Sequence, residues 1–173
     1  MGLPLTGKST LGRKWAEKLQ VNFIDTDVEI ERRTARSIME WFQLGETEFR
    51  KIEAQVFSQL LEEAHQGIWA VGGGFPLQGG AMTLMRKEGY TIWLDPPLEW
   101  WLRQVRNHKR DRPILSGKTP DEWRMLFESR RAAYREADLH WSLSLIPEPL
   151  ILRWIASRLS CPLLAEALTE HRS

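Results

Sequence analysis

Gly2-Leu3-Pro4-Leu5-Thr6-Gly7-Lys8-Ser9 reads G-x-x-x-x-G-K-[ST], a glycine-bounded loop that wraps phosphates with its backbone. The residue types follow from that task. Loop N–H groups and the start of the next helix point at a β-phosphate. Lys8 reaches the β- and γ-oxygens, and the Ser9 hydroxyl ligates Mg²⁺. The plain alternative is a glycine turn before an ordinary helix. The motif needs a helix after it, and Leu11, Trp15 and Leu19 fall on one stripe of a helix from about Lys8 to Leu19. It also needs a strand before it, and Met1 leaves no room for one. In this fold class that strand is central, so its neighbours would lose ladder partners. The expectation is a native protein that extends upstream of Met1; the alternative is a truncated, poorly stable one. Leucine at position 5 is strained if the loop needs φ > 0 there.

Moving outward, helical and strand-like segments alternate, which predicts an α/β fold with a mostly parallel sheet. Val21 to Ile24 is a short apolar strand leading into Asp25-Thr26-Asp27. A long helix follows Gly45 with Phe49, Ile52, Val56 and Leu60 on its stripe, and Gly67 stops it. Ile68 to Val71 is a buried strand entering Gly72-Gly73-Gly74, and Thr91 to Leu94 is another, ended by Asp95-Pro96-Pro97. A helix runs from Leu98 to about Arg106, and a basic irregular stretch fills 107–118. Thr119 opens a further helix, with Pro120 at its first position and Glu122 completing a capping box. Trp141 to Ile146 is the expected last strand, and Pro149 starts the last helix. The whole of 1–173 reads as one domain, with a loosely held tail after 161.

The bulk numbers narrow the class. Lys plus Arg number 24 and Asp plus Glu 23, so no charge excess points to nucleic acid or a membrane surface. No stretch approaches the ~18 apolar residues of a spanning helix. Cys161 is the only cysteine, so no internal disulfide forms. With no signal peptide ahead of the phosphate loop, the expected compartment is the cytoplasm. Nine tryptophans are many, and Trp15, Trp41, Trp93, Trp123 and Trp154 fall at apolar-face positions, as core residues do. No apolar stripe is left over after the core is assigned, which predicts a monomer.

Three further clusters carry chemistry. Asp25 and Asp27, two apart on an extended segment, point the same way, so one can hold Mg²⁺ through water while the other faces a hydroxyl. The ordinary alternative for such an Asp is a helix N-cap, and taken alone the N-cap is the favoured reading. In Gly45-Glu46-Thr47-Glu48-Phe49-Arg50, Arg50 stands three residues before Glu53, and an Arg held by that partner can present its fork to a carboxylate. The ordinary alternative is a solvated helix face. Gly72-Gly73-Gly74 after a buried strand lets backbone N–H groups approach a ligand.

In order and spacing, the phosphate loop, Asp25-Thr26-Asp27, Gly45-Glu46-x-x-Phe49-Arg50, Gly72-Gly73-Gly74, Arg112-Pro113-Ile114-Leu115 and Arg130-x-x-x-Tyr134 resemble the shikimate kinase family over roughly residues 2 to 160. The resemblance implies a three-layer P-loop kinase fold. It implies transfer of the γ-phosphoryl of ATP to the 3-hydroxyl of shikimate, in aromatic amino-acid biosynthesis, with Mg²⁺. By the same resemblance Leu3, Pro4, Leu5, Thr6, Gly7, Lys8, Ser9, Thr10 and Arg112 would bind ATP. Ser9 and, through water, Asp25 would serve the metal. Asp27 would orient or deprotonate the attacking hydroxyl, and Arg50 and Arg130 would clamp the shikimate carboxylate. Gly73 and Gly74 would offer N–H groups to the substrate, and Arg112, in a lid over 107–118, would reach the phosphates with Lys8 during transfer. Arg106 would lie against the adenine, in a lid whose spacing differs by a residue from the common pattern.

The chain departs from the family at Leu5, at the absent first strand, and at Phe75-Pro76, which is bulky after the glycines. Trp69 and Trp93 imply a repacked core, and His140-Trp141 replaces small polar and β-branched residues. Two other readings stay open: a catalytically impaired binding protein of the same fold, and a P-loop kinase for another small hydroxy acid.

Overall fold

The computed structural model describes residues 1–63, 66–107, 114–115, 117–142 and 147–159. Gly7, at φ 83°, turns the chain into α1 (Lys8–Leu19). Gln20 ends that helix in the left-handed region, and Val21 N–H still donates to Ala16 O. Val21 therefore belongs to the helix end, and β1 begins one residue later than expected, at Asn22–Asp25. Asp25 accepts from Asp27 N–H at 3.1 Å and caps α2 (Thr26–Thr34). The two aspartates are thus not on one extended segment. Asp25 closes the strand, and Asp27 sits in the first turn of a helix.

Ser37 and Glu40 form a reciprocal capping box that starts α3 (Ile38–Leu44). Gly45 then separates it from α4 (Glu46–Glu62). β2 (Gly67–Ala70) enters the three glycines, and a 3-10 turn at Phe75–Leu77 leads to α5 (Ala81–Glu88). β3 (Ile92–Asp95), α6 (Leu98–Asn107), α7 (Pro120–Tyr134), β4 (Leu139–Ser142) and α8 (Glu148–Arg158) follow. The Thr119–Glu122 capping box is formed as expected.

The last strand starts two residues earlier than the sequence reading placed it. Asp138 causes the shift. Its carboxylate accepts from Thr91 N–H at 2.9 Å and Thr91 O–H at 2.7 Å. That clamp sets Leu139 opposite Ile92 in a parallel register. Residues 143–146, the rest of the expected strand, lie outside the described residues, as does the tail after 161.

Helices cover both faces of the strands, giving three layers. Trp93 packs with Trp101, Phe127 and Tyr134 on one face. Its neighbour Leu94 packs with Trp15, Trp141, Ile151 and Ile155 on the other, as strand alternation requires. The sheet itself comes as two parallel pairs, β1 with β2 and β3 with β4. Among the described residues β2 and β3 do not pair with each other. Met1 bonds the free edge of β3: its amine donates to Ile92 O at 2.7 Å, and its carbonyl accepts from Leu94 N–H at 2.9 Å. No described helix is long and apolar enough to cross a membrane.

Candidate active site

The phosphate loop is held from behind. Trp101 Nε1–H donates to Pro4 O at 2.7 Å, and Thr6 O–H donates to Leu3 O at 2.9 Å. Lys8 folds its ammonium back onto Gly2 O and Leu3 O, at 3.0 and 2.9 Å. α1 carries no side-chain N-cap, so its first-turn N–H groups suit an anion, helped by the helix dipole. Ser9 and Thr10 are exposed in that first turn, with Gly7 and Leu5 half-buried in the loop. Leu5 has φ 65°, a left-handed conformation that costs a non-glycine residue roughly 1–2 kcal/mol. The strain anticipated from the sequence is present.

A pocket of about 80 Å³ opens beside the loop, and Lys8, Asp27, Arg50, Gly73, Gly74 and Arg130 all line it. Five chain segments supply these residues. Thr26 ties two of them together: its hydroxyl donates to Ala70 O at 3.3 Å and accepts from Gly72 N–H at 3.1 Å. The start of α2 is thereby fixed to the end of β2, which sets Asp27 beside Gly72. From α4, Arg50 bonds Glu53 at 2.7 Å and Glu46 at 2.9 Å. The pairing read from the spacing is formed, on a buried face rather than a solvated one. From α7, Arg130 is 5% exposed and hydrogen-bonds the Tyr134 phenol, which in turn donates to Gly73 O.

The three glycines have a reason beyond ligand approach. A Cβ on Gly74 would overlap the Arg50 guanidinium. A Cβ on Gly72 would stand 3.0 Å from Asp27 Oδ1 and closer still to Glu53 Oε1. The glycine run is therefore the floor on which the charged side chains lie.

Glu53 matters more than the sequence reading allowed, which treated it only as a partner for Arg50. It is 3% exposed and also accepts from Gln78 Nε2 at 2.7 Å, while its Oε1 is buried without a hydrogen-bond partner. Burial pushes its carboxyl up to about 7; Arg50 opposes the shift and Asp27 adds to it. Arg50 lies nearer solvent, where its two glutamates outweigh burial and hold its guanidinium above its usual range. At Glu53, which is more deeply buried, loss of water outweighs the attraction of Arg50, and the Asp27 carboxylate adds to the upward shift. The sign follows. Between pH 4.5 and 7 the folded chain holds a proton at Glu53 that the unfolded chain has released, so this group's contribution to stability falls as pH rises. Glu53→Gln should remove that slope, seen as a smaller loss of Tm between pH 4.5 and 7.5 than in the parent. Equal slopes in both proteins would refute the shift.

Other walls were not anticipated. Ile38 and Phe42 from α3 and Ile114 close the pocket with Phe49 and Pro4. The Ser37-x-x-Glu40 capping box was the available signal for α3. Arg106 is exposed at the end of α6. Arg112 and Pro113 lie outside the described residues.

A family model described as shikimate kinase matches residues 4–159. The curated shikimate kinase of Aquifex aeolicus is 35% identical over 153 residues, 87% of this chain and 89% of that protein. The shikimate kinase of Microcystis aeruginosa is 37% identical over 151 residues, covering 86% and 78% of the two chains. Among solved structures, shikimate kinase from Bacteroides thetaiotaomicron superposes with a TM-score of 0.77 at 30% identity, over 92% of this chain and 96% of that one. Shikimate kinase from Acinetobacter baumannii, solved in complex with shikimate, gives 0.73 at 29% identity, over 97% and 93%. With the loop, the pocket and these likenesses in agreement, the chain belongs to the shikimate kinase family, whose members are ATP-dependent kinases.

Proposed function

We propose that phosphoryl transfer takes place where the phosphate loop meets the small pocket. ATP phosphates lie on residues 3–10, and shikimate sits in the pocket with its carboxylate between Arg50 and Arg130. The observation that carries this reading is the convergence of Lys8, Asp27, Arg50, Gly73, Gly74 and Arg130 on one cavity. These residues come from segments as far apart in sequence as 8 and 130.

Each residue has a task its chemistry suits. The α1 N-terminus and Lys8 neutralise phosphate charge, which is most of what such a transfer asks of a protein. Asp27 accepts the hydrogen bond of the attacking hydroxyl and orients it in line. Arg50, pinned by Glu46 and Glu53, offers a preset fork to the substrate carboxylate. Gly73 and Gly74 bring backbone to the substrate. Arg112 completes the charge clamp from the 107–118 segment.

The metal reading rests on donor type. Ser9 and Asp25 present oxygen, which suits Mg²⁺, an ion that keeps several waters and leans on substrate phosphates. No group of three or more His, Cys, Asp or Glu side chains is placed to hold a metal among the described residues, so the nucleotide and water supply most of the ligands. When bound, Mg²⁺ neutralises charge on the β- and γ-phosphates. An ATP-dependent reaction on a small metabolite fits the cytoplasm, the compartment we assign.

The test is ADP release with Mg²⁺-ATP, with and without shikimate. Shikimate-dependent turnover is expected; a folded protein that turns over ATP no faster with shikimate sinks the reading. A second experiment examines the floor. Gly74→Ala pushes a methyl group into the Arg50 guanidinium, and a long side chain yields before the backbone does. The fold should survive while KM for shikimate rises about 10–100-fold, the worth of one charged hydrogen bond. KM for ATP should change by less than about threefold. An unaltered shikimate KM would clear Arg50 of the role given to it.

A further inference from the structure

The phosphate loop bends at Pro4 and Leu5, the two central residues of a turn that starts at Leu3. Proline holds its φ at about −65°, and Leu5 follows at φ 65°. Proline followed by a positive φ is the arrangement of a type II turn, whose second central position asks for glycine. A type I turn also takes proline first, but it gives the next residue a negative φ that leucine adopts freely. The two forms differ mainly by a flip of the peptide that joins the central residues. Left to itself, Leu5 favours the type I form.

The flipped peptide is held from outside the loop. Trp101 Nε1–H donates to the Pro4 carbonyl at 2.7 Å, from α6 and 97 residues away. Trp101 is fully buried and packs on Phe127 of α7, with ring centroids 5.5 Å apart, so the indole cannot follow the carbonyl if it turns. Pro4 is buried as well, and a flip would leave a buried donor and a buried acceptor unpaired. The bond within the loop, from Thr6 O–H to Leu3 O at 2.9 Å, does not involve this peptide.

The direction of the peptide matters to a phosphate. The Pro4–Leu5 peptide is trans, so its N–H points opposite to its C=O. With Pro4 O on the indole, Leu5 N–H faces away from Trp101. A loop that grips anions does so with its N–H groups, and a flip would replace one of them by a carbonyl oxygen.

We infer that Trp101 is a positioning residue for the nucleotide: its indole N–H latches the Pro4–Leu5 peptide in the orientation that glycine would adopt unaided, and so lets leucine serve at position 5. The inference rests on the reading that residues 3–10 hold the ATP phosphates.

The experiment compares the parent, Trp101→Phe, Leu5→Gly and the double variant, each as the full chain. Affinity for Mg²⁺-ADP is read by calorimetric titration, with Tm beside it. Trp101→Phe keeps an aromatic ring in the core and removes the N–H. It should weaken ADP binding by about 5- to 30-fold, because the strained turn then competes with its relaxed form and only the strained one binds. In the Leu5→Gly background the same substitution should cost no more than about threefold, since glycine takes a positive φ without penalty. Equal losses in the two backgrounds overturn the latch, because Trp101 would then act without regard to residue 5. So does unchanged ADP affinity in Trp101→Phe, or a Trp101→Phe chain that no longer folds, which would make the indole a core residue alone. A folded parent with no affinity for ADP overturns the phosphate reading itself and takes this inference with it.

Discussion

Asp27→Asn should lower kcat by about 10²–10⁴-fold, the usual worth of a positioned acid–base group, while KM for ATP stays within about threefold. The substitution keeps shape and hydrogen bonding and removes only the ability to take a proton or hold negative charge. Its position makes the loss specific. The Thr26 bridge to Ala70 and Gly72 fixes the first turn of α2. The N-terminal end of α2 favours a carboxylate there. The same residue lines the pocket with Lys8 and the two arginines, so a hydroxyl seated there has Asp27 as a neighbouring base. Tm should change little, because Asn can keep the contacts of the turn. A kcat within about threefold of the parent would remove Asp27 from the reaction and leave it a helix-turn residue.

How much of this was readable before folding differs from residue to residue. The phosphate loop was, because its chemistry is local: eight consecutive residues carry the glycines, the lysine and the hydroxyl. The Arg50–Glu53 pair was, because helix geometry brings i and i+3 together. Leu5 was, because backbone strain follows from residue type. The long-range ties were not. Trp101 and Pro4 are 97 residues apart, and no local rule predicts that one anchors the other's carbonyl. The glycine run was read as an opening for ligand, yet its close neighbours are the side chains of Arg50, Glu53 and Asp27. That reversal depends on the tertiary placement of the Arg50 and Glu53 side chains of α4 against Gly72 and Gly74, which no local pattern encodes. At Asp25-Thr26-Asp27 the N-cap favoured for such an Asp is what forms at Asp25, and the helix starting at Thr26 turns Asp27 away from the extended geometry of the chemical reading. The shifted last strand shows a competing effect, since Asp138 and Thr91 fix a register that apolar content alone placed further along.

Arg130→Ala should raise KM for shikimate by about 30- to 5,000-fold, since truncating one member of a buried charged contact costs ~2–5 kcal/mol. Arg130 projects from α7 between Phe127 and Tyr134, both fully buried, so its direction is set by packing rather than by solvent. Its Nε is buried without a hydrogen-bond partner, an arrangement that a bound carboxylate at the guanidinium would make worthwhile. Removing the side chain also unsettles Tyr134, whose phenol holds the Gly73 carbonyl, so part of the loss will come from the glycine floor. Two controls separate these effects. Arg130→Lys keeps the charge but not the planar fork, and should recover little of the shikimate affinity. Tyr134→Phe keeps Arg130 and frees Gly73, and should cost no more than about 10-fold, the value of one neutral hydrogen bond. KM for ATP should stay within about threefold in all three variants, because we place Arg130 on the shikimate carboxylate and assign the phosphates to residues 3–10. If ATP binding weakened as much as shikimate binding in Arg130→Ala, the guanidinium would be serving the phosphates, and the carboxylate would have to be held by Arg50 alone.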